Sequence, residues 1–275
     1  LNLFFVIVFH MSVAGVALAT VISQALAALL VCITLMKEPD ATHLDLHKLR
    51  IDRAMAMEII RIGVPAGLQG MAFSLSNVVV QSSINSFGSS VIVAGNSASN
   101  NIENFVYIGM SAFTQACITF TSQNVGAQNL KRVKSIFNHS MVLTTLSAML
   151  MGFLVWFFGE SLLAFYTSDP AVVEAGMLRL FWVSMFLFLN GILDVFVSSL
   201  RGMGYSSLPT IVMLVGICGV RLLWLLLIFP MHRTLTIIYL CFPLSWTITS
   251  IVLGFIWLYC YRHMLRTNGQ QAQNA

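Results

Sequence analysis

At 275 residues, with 58% hydrophobic and 9% charged side chains and a mean hydropathy of +0.86, this chain has lipid as its solvent. A soluble domain would carry about 25% charged residues. The net charge of +4 is too small to point to nucleic acid and reflects basic segments flanking the membrane. The apolar runs are long and do not alternate, which excludes a β-barrel built of ~10-residue strands; an all-α polytopic membrane protein is predicted, with about seven spans at ~20 residues each.

The chain opens on Leu1–Phe9, an apolar piece too short to cross a bilayer of ~30 Å. No basic segment precedes it and no small-residue cleavage site follows, so it reads as the end of a helix rather than a signal peptide. Val16–Met36 is a complete span, interrupted mainly by Ser23 and Gln24. Residues 37–54 are the most polar stretch before the C-terminal tail, with Lys37, Glu38, Asp40, Asp45, Lys48, Arg50, Asp52 and Arg53 among scattered leucines and Ile51. This mixture predicts an amphipathic interfacial linker.

A long helix is predicted from about Ala54 to Phe87, kinked near Pro65, and Gly88-Ser89-Ser90 ends it. The stretch Asn96–Asn104 that follows admits two readings: a polar loop between spans, or the wet face of one helix over about 89–121. Further helices are predicted over 133–158, 171–200, 208–230 and 235–261, leaving a polar tail expected to be disordered.

Basic loops face the cytoplasm, and this decides between the two readings of 96–104. The linker, the segment with Lys131, Arg132 and Lys134, the turn at Arg201 and the tail with Arg262 and Arg266 belong on one side. The turns at 88–90, 159–170 and 230–234 belong on the other, where Arg233 is the single basic residue. That alternation requires 89–121 to be one crossing, which puts Glu103 ~20 Å from either helix end at 1.5 Å per residue.

Asn96, Asn100, Glu103 and Tyr107 then recur at i, i+4, i+7 and i+11, one helical face. Ser74, Asn77, Gln81 and Asn85 do the same on the preceding helix, and Asn190 and Asp194 lie one turn apart on the 171–200 helix. Charged groups at mid-membrane cost at least ~2.5–3.5 kcal/mol and so face a bundle interior or a wet cavity. For Asn77, Gln81 and Asn85, hydrogen bonding across a packing seam competes with a cavity role. Asp194 with Arg221 is a candidate structural ion pair, since buried charges are usually partnered. Glu103 has no evident cationic partner, which makes it the leading candidate for an ion or substrate site.

The five cysteines (Cys32, Cys117, Cys218, Cys241 and Cys260) are scattered, without CxxC pairs or paired histidines. Neither a disulfide framework nor a zinc site has the spacing it needs. No metal site, organic cofactor or nucleophile–base constellation is expected, and enzymatic activity is not.

The segment Ser122-Gln123-Asn124-Val125-Gly126-Ala127-Gln128-Asn129-Leu130-Lys131-Arg132 resembles the cytoplasmic loop of the multidrug and toxic compound extrusion (MATE) transporters. Gly63–Gln69, Ser199–Gly204 and Gly15–Gln24 agree with the family in order and spacing. The resemblance implies a twelve-helix fold of two six-helix lobes that rock around a central cavity. Residues 1–36 would be the end of the fifth helix and all of the sixth, 37–54 the cytoplasmic interlobe linker, 55–262 the second, C-terminal lobe and 263–275 a cytoplasmic tail. The first four helices would then lie outside this sequence.

By the same resemblance, the function would be export of organic cations or drugs in exchange for H+ or Na+ across the bacterial inner membrane. The partners would be small organic cations, the lipid bilayer and the N-terminal lobe of the same protein. Phe73 stands where sodium-coupled relatives carry an acid, and Asn190 falls at the acid of the fourth helix, which is closer to the DinF-like branch. Glu103, Asn96, Asn100, Asp194, Asn190, Asn77 and Gln81 are the candidate cation, proton or substrate-binding residues. A lipid-linked oligosaccharide flippase of the same superfamily, whose cavity would need several cations, and a non-transporting fragment are the alternatives.

Overall fold

The structure, a computed structural model, describes residues 1–37, 44–45 and 50–274. Every regular element among them is helical. By its contacts the chain divides into Leu1–Glu58 and Ile59–Ala275, and the two units are described separately.

In the first unit a short helix α1 (Asn2–Ile7) precedes the span α2 (Val13–Lys37). His10, at φ 52°, turns the chain between them. Only Gly15 and Ala19 of α2 are buried, so its leucines, valines and isoleucines form an apolar exterior suited to lipid. The linker predicted over 37–54 lies largely outside the described residues. At its far end the Asp52 carboxylate accepts the N–H groups of Ala54 (2.8 Å) and Met55 (3.1 Å), capping α3 (Arg53–Asn85).

The second unit is built from six long helical segments. After α3 come α4 (Ser90–Gly126) and α5 (Leu130–Phe157), then the short α6 (Gly159–Ala164). Pro170–Gly202 is α7 (Pro170–Arg179) and α8 (Leu187–Gly202) with a π-helical turn at 180–184 between them. Ser207–Leu227 is likewise α9 (Ser207–Met213), a π segment at 214–219 and α10 (Val220–Leu227). The last helix, α11, runs from Leu235 to Asn274, so the tail expected to be disordered continues as helix.

Among the described residues six helical stretches are long and apolar enough to cross a membrane: Val13–Lys37, Arg53–Asn85, Leu130–Phe157, Pro170–Gly202, Ser207–Leu227 and Leu235–Arg266. The absentee, α4, is the longest helix of the unit after α11, at 37 residues. At 1.5 Å per residue it reaches ~55 Å, but its polar face lowers its hydropathy. It answers the question left by residues 96–104, which are helix and not loop. It also runs past the predicted end at Thr121, so Ser122–Gly126 forms its last turn and Glu103 lies nearer its N-terminal end than expected. Gln128, at φ 57°, then reverses the chain before α5.

Helix α4 is also the structural centre, packed against α5, α7 and α8. Because lipid is as apolar as leucine, helices in a membrane associate through close fit and small residues. Gly95 illustrates this: a Cβ there would come within 2.7 Å of the Val172 carbonyl oxygen and 2.8 Å of the Gly176 nitrogen. The Ser99 hydroxyl lies 2.9 Å from the Gly176 carbonyl. Contacts therefore advance together along α4 and α7, and the two helices run side by side in the same direction. Elsewhere an aromatic seam closes the core, with Phe137 stacked on Trp257 at 3.9 Å and the Trp257 indole donating to Ser199 Oγ at 2.8 Å.

Candidate functional site

One turn beyond the Ser99–Gly176 contact, the same alignment brings Arg179 onto the polar face of α4. Its Nη2 donates to Glu103 Oε2 at 2.6 Å and its Nε to Oε1 at 3.0 Å. Its Nη1 donates to Asn96 Oδ1 at 2.7 Å, and Nη2 also to Asn100 Oδ1 at 3.0 Å. The i, i+4, i+7 spacing thus gathers three acceptors around one planar guanidinium, a geometry suited to bidentate pairing. Glu103 and Arg179 are both buried, at 7% and 5% exposure.

This corrects the expectation that Glu103 lacks a cationic partner. Arg179 was the residue missed. Its sequence signal was available: a basic residue inside an apolar run, the same feature that singled out Arg221. Its position next to the π turn at 180–184 was not foreseeable from spacing, although π turns often occur at functional positions.

The network extends to α3. Asn96 Nδ2 donates to Gln81 Oε1 at 2.9 Å, and Gln81 Nε2 to Asn85 Oδ1 at 3.0 Å. Arg201, read from sequence as a turn residue, instead reaches inward to Gln69, with Nη2 to Oε1 at 2.6 Å.

The second acid, Asp194, is half-buried on α8 and accepts from Asn190 Nδ2 at 3.3 Å. Tyr107 and Arg201 are the other polar groups close enough to act on it. The predicted Asp194–Arg221 pair is not formed: among the described residues the two share no ion pair. Arg221 donates instead from Nε to Ser245 Oγ at 3.2 Å and from Nη1 to Asn77 Oδ1 at 3.4 Å. Its guanidinium lies 4.3 Å from the Phe242 ring centre and 5.9 Å from that of Trp246. That expectation rested on both residues being charges within spans; the turn of helix after the π segment at 214–219 faces Arg221 to α3 and α11.

Except for Asn85 and Ser245, the groups of this polar network line one cavity of about 760 Å³ inside the second unit. It contains each of the seven predicted residues: Asn77, Gln81, Asn96, Asn100, Glu103, Asn190 and Asp194. Its charged lining is three arginines (Arg179, Arg201 and Arg221) against two carboxylates (Glu103 and Asp194). Phe73, Phe242 and Trp246 provide aromatic wall. The site can therefore hold an amphiphilic molecule, offering apolar surface together with hydrogen-bonding groups of both signs.

Relatives and solved structures agree with this architecture. The chain is 29% identical over 189 residues to the probable multidrug resistance protein YpnP of Bacillus subtilis, covering 66% of this chain and 40% of that protein. It is 25% identical over 215 residues to the probable multidrug resistance protein NorM of Thermotoga maritima, covering 78% and 46%. To the multidrug export protein MepA of Staphylococcus aureus it is 26% identical over 203 residues, covering 74% and 45%. The chain thus spans less than half the length of these curated relatives.

Among solved structures, a MOP-superfamily transporter from Pyrococcus furiosus superposes with a TM-score of 0.86 at 16% identity, over 95% of this chain and 59% of that one. A mutant form of the Vibrio cholerae MATE transporter VcmN superposes with a TM-score of 0.74 at 20% identity, over 97% and 59%. These likenesses establish the fold. The MatE family model matches residues 65–226, more than half of the chain and all the helices that carry the polar network except α11. The chain belongs to the MatE family of multidrug and toxic compound extrusion transporters, a family of transporters and not of enzymes.

Proposed function

We propose that this chain is the C-terminal lobe, with part of the N-terminal lobe, of an ion-coupled antiporter that exports organic cations or drugs by alternating access. The observation that carries the reading is Asp194, a carboxylate within the membrane that opens on the 760 Å³ cavity and is not clamped by a direct ion pair among the described residues. An acid so placed is the expected form of a proton or cation site. Glu103 fixes the wall of the cavity through Arg179, and Asn96 and Asn100 support that wall. Asn77, Gln81 and Asn190 add hydrogen-bonding capacity for varied substrates.

The N-terminal lobe of the same protein supplies the opposite wall, and H+ or Na+ is the coupling ion. A bacterial inner membrane is the expected location, with lipid against the exposed apolar faces. The test is drug efflux by the complete transporter under an imposed H+ or Na+ gradient. Asp194→Asn is expected to abolish the dependence on the gradient. Gradient-driven efflux at the wild-type rate in Asp194→Asn would overturn the coupling assignment.

Three arginines in the cavity give some support to a second reading, a flippase of lipid-linked oligosaccharides. Two of them are answered within the unit, Arg179 by Glu103 and Arg201 by the field of Asp194. One uncompensated cation is a poor match for a pyrophosphate, so export of drugs is the better reading. Pyrophosphate-lipid translocation in reconstituted vesicles, without drug efflux, would reverse that order.

A further inference from the structure

Arg221 is 3% exposed, yet among the described residues no carboxylate answers its charge. The ionisable groups acting on it are Cys241, Cys218 and Arg179, none of them a carboxylate. Neither cavity acid answers it: Glu103 is paired with Arg179, and Asp194 lies beside Asn190, Tyr107 and Arg201. An unpaired buried cation is costly, and within a membrane the cost adds to that of the charge itself. The fold nevertheless holds this one firmly. Nε and Nη1 are tied to Ser245 and Asn77, and the face of the guanidinium is stacked on Phe242.

The remaining nitrogen, Nη2, makes no hydrogen bond among the described residues, and Arg221 lines the cavity. Arg179 lies 5.6 Å from the same Phe242 ring, so two guanidiniums flank one aromatic wall. Glu103 neutralises only the first. A fixed fork of N–H donors in a positive field is suited to an oxyanion, and the adjoining Phe242 and Trp246 are suited to an apolar or aromatic body.

We propose that Arg221 is a binding site for the oxyanion group, carboxylate or phosphate, of an amphiphile held in this cavity. The inference rests on the cavity being the substrate site, and it adds an acidic class of ligand to the cations proposed above. A bound oxyanion would supply the countercharge Arg221 lacks, while Asp194 remains free for the coupling ion.

The test uses the purified native protein in a neutral maltoside detergent, with 1-pyrenebutyrate and 1-pyrenebutanol as probes. The two differ in carrying a carboxylate or a hydroxyl, and energy transfer from tryptophan reads their saturable binding. Wild type is expected to prefer the acid by about tenfold or more. Arg221→Gln should erase that preference and leave binding of the alcohol intact, and Arg221→Lys should retain part of it. Dodecyl phosphate should displace the acid where inorganic phosphate at equal concentration does not; equal displacement would overturn the requirement for an amphiphile.

No preference for the acid in wild type, or the same preference in Arg221→Gln, overturns the site. Should Arg221→Gln fail to fold, wild type and Arg221→Lys still decide, because the preference is measured in each protein by itself. Binding is read without transport, so a failure of gradient-driven efflux and a failure of this site give separate results.

Discussion

Arg179 and Glu103, 76 positions apart in sequence, form a bidentate ion pair with contacts of 2.6 and 3.0 Å, enclosed between α4 and α7. Both oxygens of the carboxylate are occupied, which makes the pair a fixture of the cavity wall. Removing one partner of a buried pair strands the other charge, at a cost of ~3–5 kcal/mol. Glu103→Gln and Arg179→Gln should therefore each lower the thermal unfolding temperature in detergent markedly. The double variant should lose much less than the sum of the two. Additive losses would show that the two side chains do not act as a pair.

How much of this was legible depends on which kind of information each feature needs. The helices follow from apolar run length, and the continuity of α4 through Asn96–Asn104 follows from the alternation of basic loops. The seven polar candidates follow from helical periodicity, and all seven line the cavity. The partner of Glu103 did not follow, because it depends on contacts between helices. Arg179 reaches Glu103 only because Gly95 and Gly176 let α4 and α7 approach closely. Arg221 and Asp194 were expected to meet because both are charges within spans, but the π segment at 214–219 presents Arg221 to Asn77 and Ser245 instead. The signature segment at 122–132 was expected to be a loop; its first half is helix, closed by the left-handed Gln128.

The close approach of α4 and α7 is itself testable. A methyl group at Gly95 would overlap the α7 backbone, where neither Val172 nor Gly176 can rotate a side chain away. Gly95→Ala should therefore separate the helices and destabilise the fold by ~1–3 kcal/mol, as overpacking does. Gly109, on the same helix, has nothing within 4 Å of a built Cβ, so Gly109→Ala should be neutral or slightly stabilising through better helix propensity. Thermal unfolding of the two variants in the same detergent makes the comparison. Equal behaviour would contradict the close packing at Gly95.

Helix α4 should cross the bilayer once, although its polar face keeps its hydropathy low. Ser90 and Asn129 are exposed just inside and just beyond its two ends. Of the five native cysteines only Cys32 is exposed, so Cys32→Ser provides a quiet background for labelling. A membrane-impermeant maleimide applied to intact cells should modify Ser90→Cys, and Asn129→Cys should react only after permeabilisation. This is the orientation that Lys131, Arg132 and Lys134 impose if basic segments stay in the cytoplasm. Reaction of both positions from one side would mean that α4 does not span.

Tyr107 provides the finest test of Asp194. It continues the face that holds Asn96, Asn100 and Glu103, but its hydroxyl lies within reach of the acid on α8 and acts on it, not on the α7 arginine. A donor to a carboxylate stabilises the charged form and orients its oxygens, at a typical value of ~1.5–3 kcal/mol for a hydrogen bond to a charged group. Tyr107→Phe removes that donor and keeps the ring. If Asp194 is the coupling site, the concentration of coupling ion giving half-maximal efflux should change by about tenfold or more, since ~1.4 kcal/mol is a factor of ten. The maximal rate should be retained, because the aromatic wall is unaltered. Were Tyr107 merely structural, the variant would lower the unfolding temperature and the maximal rate while leaving the ion dependence where it is in wild type. Measuring efflux across a series of ion concentrations, with unfolding followed on the same preparations, separates the two outcomes.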